Sequence, residues 1–453
     1  MNIESNNSSK LNSVEPSVKS TIALLIWGEV IEDFLDSLEM SLEIFCKELP
    51  FGWLIGYIQS LKLVGVQTVL FVTSDRITAP LRFTHTSTGT IISVLPVPRS
   101  YRSIRSQMVH PYPTLANFGS LEELFGSVRG THRFLFKALK HLAPYLSIPV
   151  RLLAKEVQRE GCSAILCAEY EYSRFDTCII LGKFLRIPVF ATFQGGNYDW
   201  NSIGHFLRPM TIQACSGLVI GSQTEIQRVY DCYHIPSNKI AKIFNPIDLR
   251  FWNAIDRCQA RTTLNLPTNA QIVVWHGRVN IYNKGLDILL NAWSKICNER
   301  PDRQLYLLLI GTGLDNEKLR QQIAVLSIQN LLWIDKYVSD RAEIQCFLSA
   351  SDIYAFPSRH EGFAVAPVEA MACGLPVVAA RASGVPDVFE DGEESGGLVV
   401  PCGDPTAFAM ALGRLLDNEQ LRQELGRNAR CRVEKAFSLD AVGKQLQGFL
   451  FQP

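Results

Sequence analysis

Glu361-Gly362-Phe363-Ala364-Val365-Ala366-Pro367-Val368-Glu369 sets two carboxylates on either side of a turn. Ahead of it, 352–356 (Asp-Ile-Tyr-Ala-Phe) reads as an apolar strand that Pro357-Ser358 ends. Behind it, 366–373 reads as a helix. Pro367 falls in its first turn, where a missing N–H costs nothing, and Gly374 with Pro376 stops it. Strand, turn and helix in that order place Glu361 on the loop and Glu369 inside the helix near its start. Both then border the crevice at the carboxyl end of a parallel strand, where open α/β sheets bind ligands. A helix N-terminus suits phosphate, and ionised carboxylates suit the paired hydroxyls of a ribose or hexose. Phosphate beside polyol describes a nucleotide sugar. The plainer reading is that Glu369 complements a helix dipole and Glu361 is a solvated loop residue.

Working outward, short β-branched or leucine-rich runs alternate with helical patterns, the mark of a doubly wound parallel sheet. In the first half the runs are 22–27, 68–73, 91–94, 164–167, 189–192 and 218–221, with helical spacing over 35–65. Ser222-Gln223-Thr224-Glu225 reads as a capping box that opens a helix to Tyr233. After a short run at 240–244 and the turn Asn245-Pro246-Ile247-Asp248, the alternation restarts at 271–276. It continues at 305–310, 331–334, 353–356, 376–379 and 397–400. The fold class is therefore α/β, with two Rossmann-like domains facing a cleft. They are assigned to 20–240 and 241–437, after a polar flexible tail at 1–19. A last helix within 438–453 has the spacing to cross back to the first domain.

A chain of 453 residues is too long for one ordinary core, which agrees with two domains. Lys plus Arg equals Asp plus Glu at 44 each, so no overall field favours nucleic acid. Twelve cysteines without a C-x-x-C pair point to reduced thiols in a cytoplasmic protein and away from zinc. The apolar run near 21–27 meets Glu29, Glu32 and Asp33, so it reads as a buried strand rather than a signal peptide. No apolar run reaches the ~18–20 residues that span a bilayer. The expectation is a soluble or peripheral protein.

The second chemical signal is Gly277-Arg278 followed by Lys284-Gly285, directly after the strand at 271–276. Two cations at a strand-to-helix junction clamp a diphosphate, Arg as a bidentate fork and Lys as a point charge; the alternative is a solvated basic loop. Gly311-Thr312-Gly313 and Ser383-Gly384-Val385-Pro386 are small loops at neighbouring strand ends, and the glycines of the first would let backbone approach a ligand.

With both motifs in place, the segment from Phe356 through Glu361 and Glu369 to Val378 resembles the signature of the GT4 family of retaining glycosyltransferases, of GT-B fold. The spacing of 277–285 matches that family's phosphate-binding loop, and the resemblance runs over about 215–437. It implies that Arg278 and Lys284 bind the donor diphosphate and stabilise the leaving group, with Gly277 beside them. It implies that Glu369 holds the nucleotide ribose and Glu361 the transferred sugar. Gly362 and the backbone of Phe363 and Ala364 would then lie near the sugar or the distal phosphate. Gly311 and Gly313 join the donor set, and Tyr337 and Val338 are candidates to meet the base. No metal and no cofactor is implied, because two cations and a helix N-terminus stabilise the charge that a metal otherwise would.

Three departures stand out. Ala364 occupies a position that is usually glycine, only Gly28 follows the first strand where a glycine-rich loop is usual, and Gln194 stands where the family often has histidine. For the acceptor, Gln194, Gly195, Asn197 and Trp200 follow one strand and Glu169 another; each reads equally well as a turn residue. The acceptor class is a saccharide or a lipid-linked hydroxyl. The segment 99–159 is basic with interleaved apolar residues, a candidate peripheral membrane contact or an ordinary solvated helix face. A non-catalytic sugar-nucleotide-binding scaffold and a sugar phosphorylase or epimerase of the same fold are the rivals.

Overall fold

In the computed structural model, the described residues are 20–26, 30–36, 40–49, 52–108, 132–195, 202–361 and 364–451. The apolar runs become fourteen strands among them, in two sheets. The first sheet contains β1 (Ser20–Leu25), β2 (Val66–Ser74), β3 (Leu81–Thr84), β4 (Ile91–Pro96), β5 (Cys162–Cys167), β6 (Val189–Thr192), β7 (Gly217–Val219) and β8 (Ile240–Ala241), in the order β3-β4-β2-β1-β5-β6-β7-β8. The second contains β9 (Gln271–His276), β10 (Leu305–Ile310), β11 (Leu331–Ile334), β12 (Ile353–Phe356), β13 (Val377–Ala380) and β14 (Gly397–Val400), in the order β11-β10-β9-β12-β13-β14. Every pairing is parallel except β3 with β4. Helices cover both faces, so the central strands are buried throughout: all four residues of β12 and of β13 are inaccessible.

The order of each sheet locates its ligand crevice. In the first, successive strands run outward in opposite directions from β1 and β5. In the second they do so from β9 and β12. Such reversals open a crevice at the carboxyl ends of the two strands concerned. His276-Gly277-Arg278 and Pro357 to Glu361 therefore leave the sheet side by side.

Some elements differ from the sequence reading. β3 went unrecognised because it is a four-residue antiparallel edge strand with three exposed residues and no apolar run. The helical spacing over 35–65 resolves into Glu32–Leu35, Leu42–Glu48 and Gly52–Leu63. The run at 240–244 pairs with β7 only through Ile240 and Ala241, while Phe244 already packs in the core of the second half. The capping box at Ser222 does not form. Its Oγ is buried without a partner, and Glu225 instead accepts from Tyr170 Oη and Arg228. Asp387, from the second half, accepts from Gln223 N at 3.1 Å and pairs with Lys242 Nζ at 2.9 Å. One half thus caps a helix of the other.

Two chain segments connect the halves and pair with each other. Ile247 N donates to Phe437 O at 2.8 Å, and the rings of Phe244 and Phe437 stack at 4.5 Å. The helix Leu439–Leu450 then returns to the first half, where Val442, Leu446 and Leu450 are buried in one cluster with Ile22, Leu24 and Leu61. Among the described residues no helix is long and apolar enough to cross a membrane.

Candidate active site

The site grows from two loops that touch. After β9, Gly277 and Arg278 lead into a single turn, Ile281–Lys284, whose Asn280 cap accepts from Asn283 N. Gly285 then adopts φ +63°, and a Cβ there would sit 2.0 Å from Pro357 O. Only glycine lets this loop lie against the loop after β12. The contact brings Lys284 Nζ to 2.8 Å from Glu361 Oε1. Arg359 fastens the same junction: it forks onto Asp287 at 2.8 and 2.7 Å and donates to Tyr282 O at 2.9 Å.

Around this pair lies a cleft of about 530 Å³, lined by Arg278, Asn280, Lys284, His360, Glu361 and Val365 among others. Arg278 is exposed and makes no ion pair among the described residues, so its fork is available to an anion. The helix Val365–Ala372 starts at the cleft, which Val365 and Ala366 line, and has no side-chain cap among the described residues. Cations on one wall, a helix start on the other and a carboxylate between them form an anion-and-polyol site.

Several assignments change. Glu369 does not line this cleft. It borders a crevice of about 30 Å³ with Gly56, Asn245, Pro246 and Trp252 at the junction of the halves. Gly311 and Gly313 are required by packing between two loops. A Cβ on either would meet Gly277 O at 1.9 Å or Val279 O at 2.1 Å, so they pack the β10 loop against the β9 loop. Tyr337 is exposed and Val338 packs on the core of the second half; neither lines the cleft. Ala364 is buried in that core at the helix start, and Gly362 and Phe363 lie outside the described residues.

One residue was missed. His276 ends β9, lines the cleft, and holds Glu369 with Nε2 3.1 Å from Oε2. Its Nδ1 is buried without a partner among the described residues. Tyr354 steadies the ring edge-on at 5.4 Å and donates to His276 O at 3.4 Å. Burial, then the negative charge of Glu369, pushes the Tyr354 hydroxyl well above its ordinary range, so it stays a donor. The signal available in sequence was a histidine closing a strand immediately before Gly-Arg.

Across the junction, the candidate acceptor residues are engaged structurally. Buried Glu169 accepts from Tyr170 N at 2.9 Å and Gln194 N at 3.0 Å, tying the β5 loop to the β6 loop. The Gln194 amide exchanges two hydrogen bonds with Asn245, at 3.1 and 2.8 Å, and so is fixed to the linker. Gly195 is exposed, and Asn197 and Trp200 lie outside the described residues. In the basic segment 99–159, Arg105 is buried between Asp33 and Asp75, each at 2.6 Å, Lys137, Arg151 and Lys155 are exposed, and 109–131 lie outside the described residues.

Against this geometry, residues 256–432 match the family model described as glycosyl transferases group 1. This segment is similar to group 1 glycosyl transferase domains. It holds both loops, Arg278 and Lys284, and both glutamates. Named relatives agree in kind. A D-inositol 3-phosphate glycosyltransferase of Saccharomonospora viridis is 29% identical over 219 residues, 47% of this chain and 50% of that protein. One from Kineococcus radiotolerans is 30% identical over 237 residues, 49% and 54% of the two chains. The chain thus spans about half the length of these relatives. Among solved structures, Anabaena HepE in complex with UDP aligns over 94% of this chain and 98% of its own, with TM-score 0.64 and 17% identity. Sucrose-phosphate synthase from Thermosynechococcus elongatus aligns over 94% and 97%, with TM-score 0.63 and 18% identity. At that identity the likeness speaks for fold, and the fold is GT-B.

For this segment, His276 carries a prediction. Removing a single hydrogen bond to the Glu369 carboxylate should weaken binding by about 3- to 10-fold. His276→Ala is expected to raise the KM for a nucleotide-sugar donor by that factor with little change in kcat. Initial-rate titration of the donor checks it.

Proposed function

We propose that the protein is a retaining, metal-independent glycosyltransferase of the GT4 type. It would move a sugar from a nucleoside-diphosphate sugar to a hydroxyl of a saccharide or lipid-linked acceptor, with no resident cofactor and no nucleic-acid partner. The observation that carries this reading is the Lys284–Glu361 pair at 2.8 Å, set beside the uncommitted Arg278 in one cleft at the β9/β12 crevice. Arg278 and Lys284 take the diphosphate and the charge that develops on the leaving group, the part otherwise played by a metal ion. Glu361 accepts from hydroxyls of the transferred sugar. Glu369, held by His276, borders the neighbouring crevice at the junction of the halves, and there it would accept from the ribose. Closure of the two halves would exclude water and limit donor hydrolysis. The balance of composition and the absence of a described spanning helix agree with a cytoplasmic protein that works in solution or at a membrane face.

A second reading has its own observation. The Gln194 amide is locked to Asn245 and cannot titrate, so a non-catalytic sugar-nucleotide-binding protein fits the same cleft. UDP-, GDP- and ADP-sugars separate the two. Uridine donors come first, since HepE was solved with UDP. The expected result is release of nucleoside diphosphate when a saccharide or lipid extract is supplied. Thermal stabilisation by a donor without release across such extracts would support the binding protein, and release that requires inorganic phosphate would support a phosphorylase.

A further inference from the structure

The helices Ser173–Leu185 and Ser202–Ala214 link β5 to β6 and β6 to β7, neighbouring parallel strands taken in one direction, so both lie on one face of the first sheet. The helix His132–Leu146 joins this layer through Asp176. That carboxylate accepts from Tyr145 Oη at 2.9 Å and Thr211 Oγ1 at 2.5 Å and pairs with Arg208 at 3.2 Å. Asp176 is the only acidic residue on the three helices, and it is fully buried.

What these helices turn outward is apolar. Phe134, Ile180, Phe184, Phe206 and Met210 are between 59% and 83% exposed. Ile180 and Phe184, and likewise Phe206 and Met210, stand four positions apart and so project from one side of their helix. Cations surround them: Lys137 on the first helix, Lys183 and Arg186 at the end of the second, and Arg151 and Lys155 on the adjoining helix Val150–Arg159. All five are exposed, and none pairs with a carboxylate among the described residues. Over the described residues 132–195 and 202–224 no carboxylate is exposed. Glu156, Glu169, Glu171 and Asp176 are buried, and Glu160 is paired with Arg82 and Arg159.

We propose that this outer helical layer docks on an anionic lipid bilayer. Protruding aliphatic and aromatic side chains among unpaired cations, with no exposed carboxylate among the described residues to repel lipid phosphates, match both components of such a surface. A nucleic acid would use the cations and leave the apolar side chains in water. The inference stands on this layer and does not depend on the donor site.

The test sediments the full chain with sucrose-loaded vesicles of phosphatidylcholine alone or with about one third phosphatidylglycerol. The chain is expected to pellet with the anionic vesicles only, less so as salt rises. Phe184→Ser with Phe206→Ser, and separately Lys183→Glu with Arg186→Glu, should each lower partitioning by about tenfold or more. Met410→Ser, an equally exposed apolar position on the helix Pro405–Asp417 of the other half, should leave it unchanged. Thermal unfolding should be the same for all, because each side chain is exposed. Three outcomes overturn the proposal: no sedimentation of the wild type, equal sedimentation with neutral vesicles, or undiminished binding by the double-serine variant. Recovery of the wild type on a soluble acidic protein but not on vesicles would assign the face to a protein partner and overturn it as well.

Discussion

Lys284→Ala is expected to lower kcat/KM for the donor by about 10²- to 10³-fold, the usual loss when one preorganised group facing developing charge is removed. Its Nζ lies 2.8 Å from Glu361 Oε1, where the β9 and β12 loops meet. The same change leaves the Glu361 carboxylate, only 11% exposed, without its cation. Part of any loss could then come from instability, since an unpaired and largely desolvated charge is costly. Lys284→Ala combined with Glu361→Gln separates the two effects. The double variant should recover thermal stability, because nothing charged is stranded, and should stay inactive. Turnover within about threefold of wild type in the single variant would remove Lys284 from the chemistry.

Gly285→Ala is expected to cost about 3 kcal/mol or more and to abolish the site along with it. Two penalties coincide there: a left-handed φ of +63° and a Cβ 2.0 Å from Pro357 O, a backbone atom that cannot swing aside. Gly374 supplies the comparison. Its φ is +79° but nothing lies within 4 Å of a Cβ, so Gly374→Ala should cost only about 1 kcal/mol. Urea denaturation of the two variants measures the difference, which is the energy of the close approach that sets Lys284 beside Glu361. Equal losses would mean that the two loops do not depend on Gly285 for their contact.

The donor half of the site was legible because its signals are local. Gly-Arg, Lys-Gly and Glu361 each lie within nine positions of a strand end, so topology alone brings their loops side by side. What escaped the sequence depends on partners far along the chain. Gly311 and Gly313 have a packing reason to be glycine, since a Cβ on either would meet Gly277 O or Val279 O on another loop. Glu169 looked free for an acceptor, yet it accepts from Gln194 N, 25 positions on. Gln194 in turn is held by Asn245, 51 positions on. The capping box at Ser222 failed for the same reason: the carboxylate that caps Gln223 comes from Asp387, 164 positions away. His276 was hidden in the opposite sense, inside a run read only as a strand, and only the fold sets it against Glu369.

The central claim is that Arg278, Lys284 and Glu361 form one donor-diphosphate site, and calorimetric titration tests it most directly. UDP, GDP and ADP are titrated into the wild type, Lys284→Ala and the remote control Met410→Ser. At least one nucleotide should bind the wild type and the control equally, and bind Lys284→Ala about tenfold more weakly or worse. Binding by none of the three, or binding that Lys284→Ala leaves unchanged, would contradict the account.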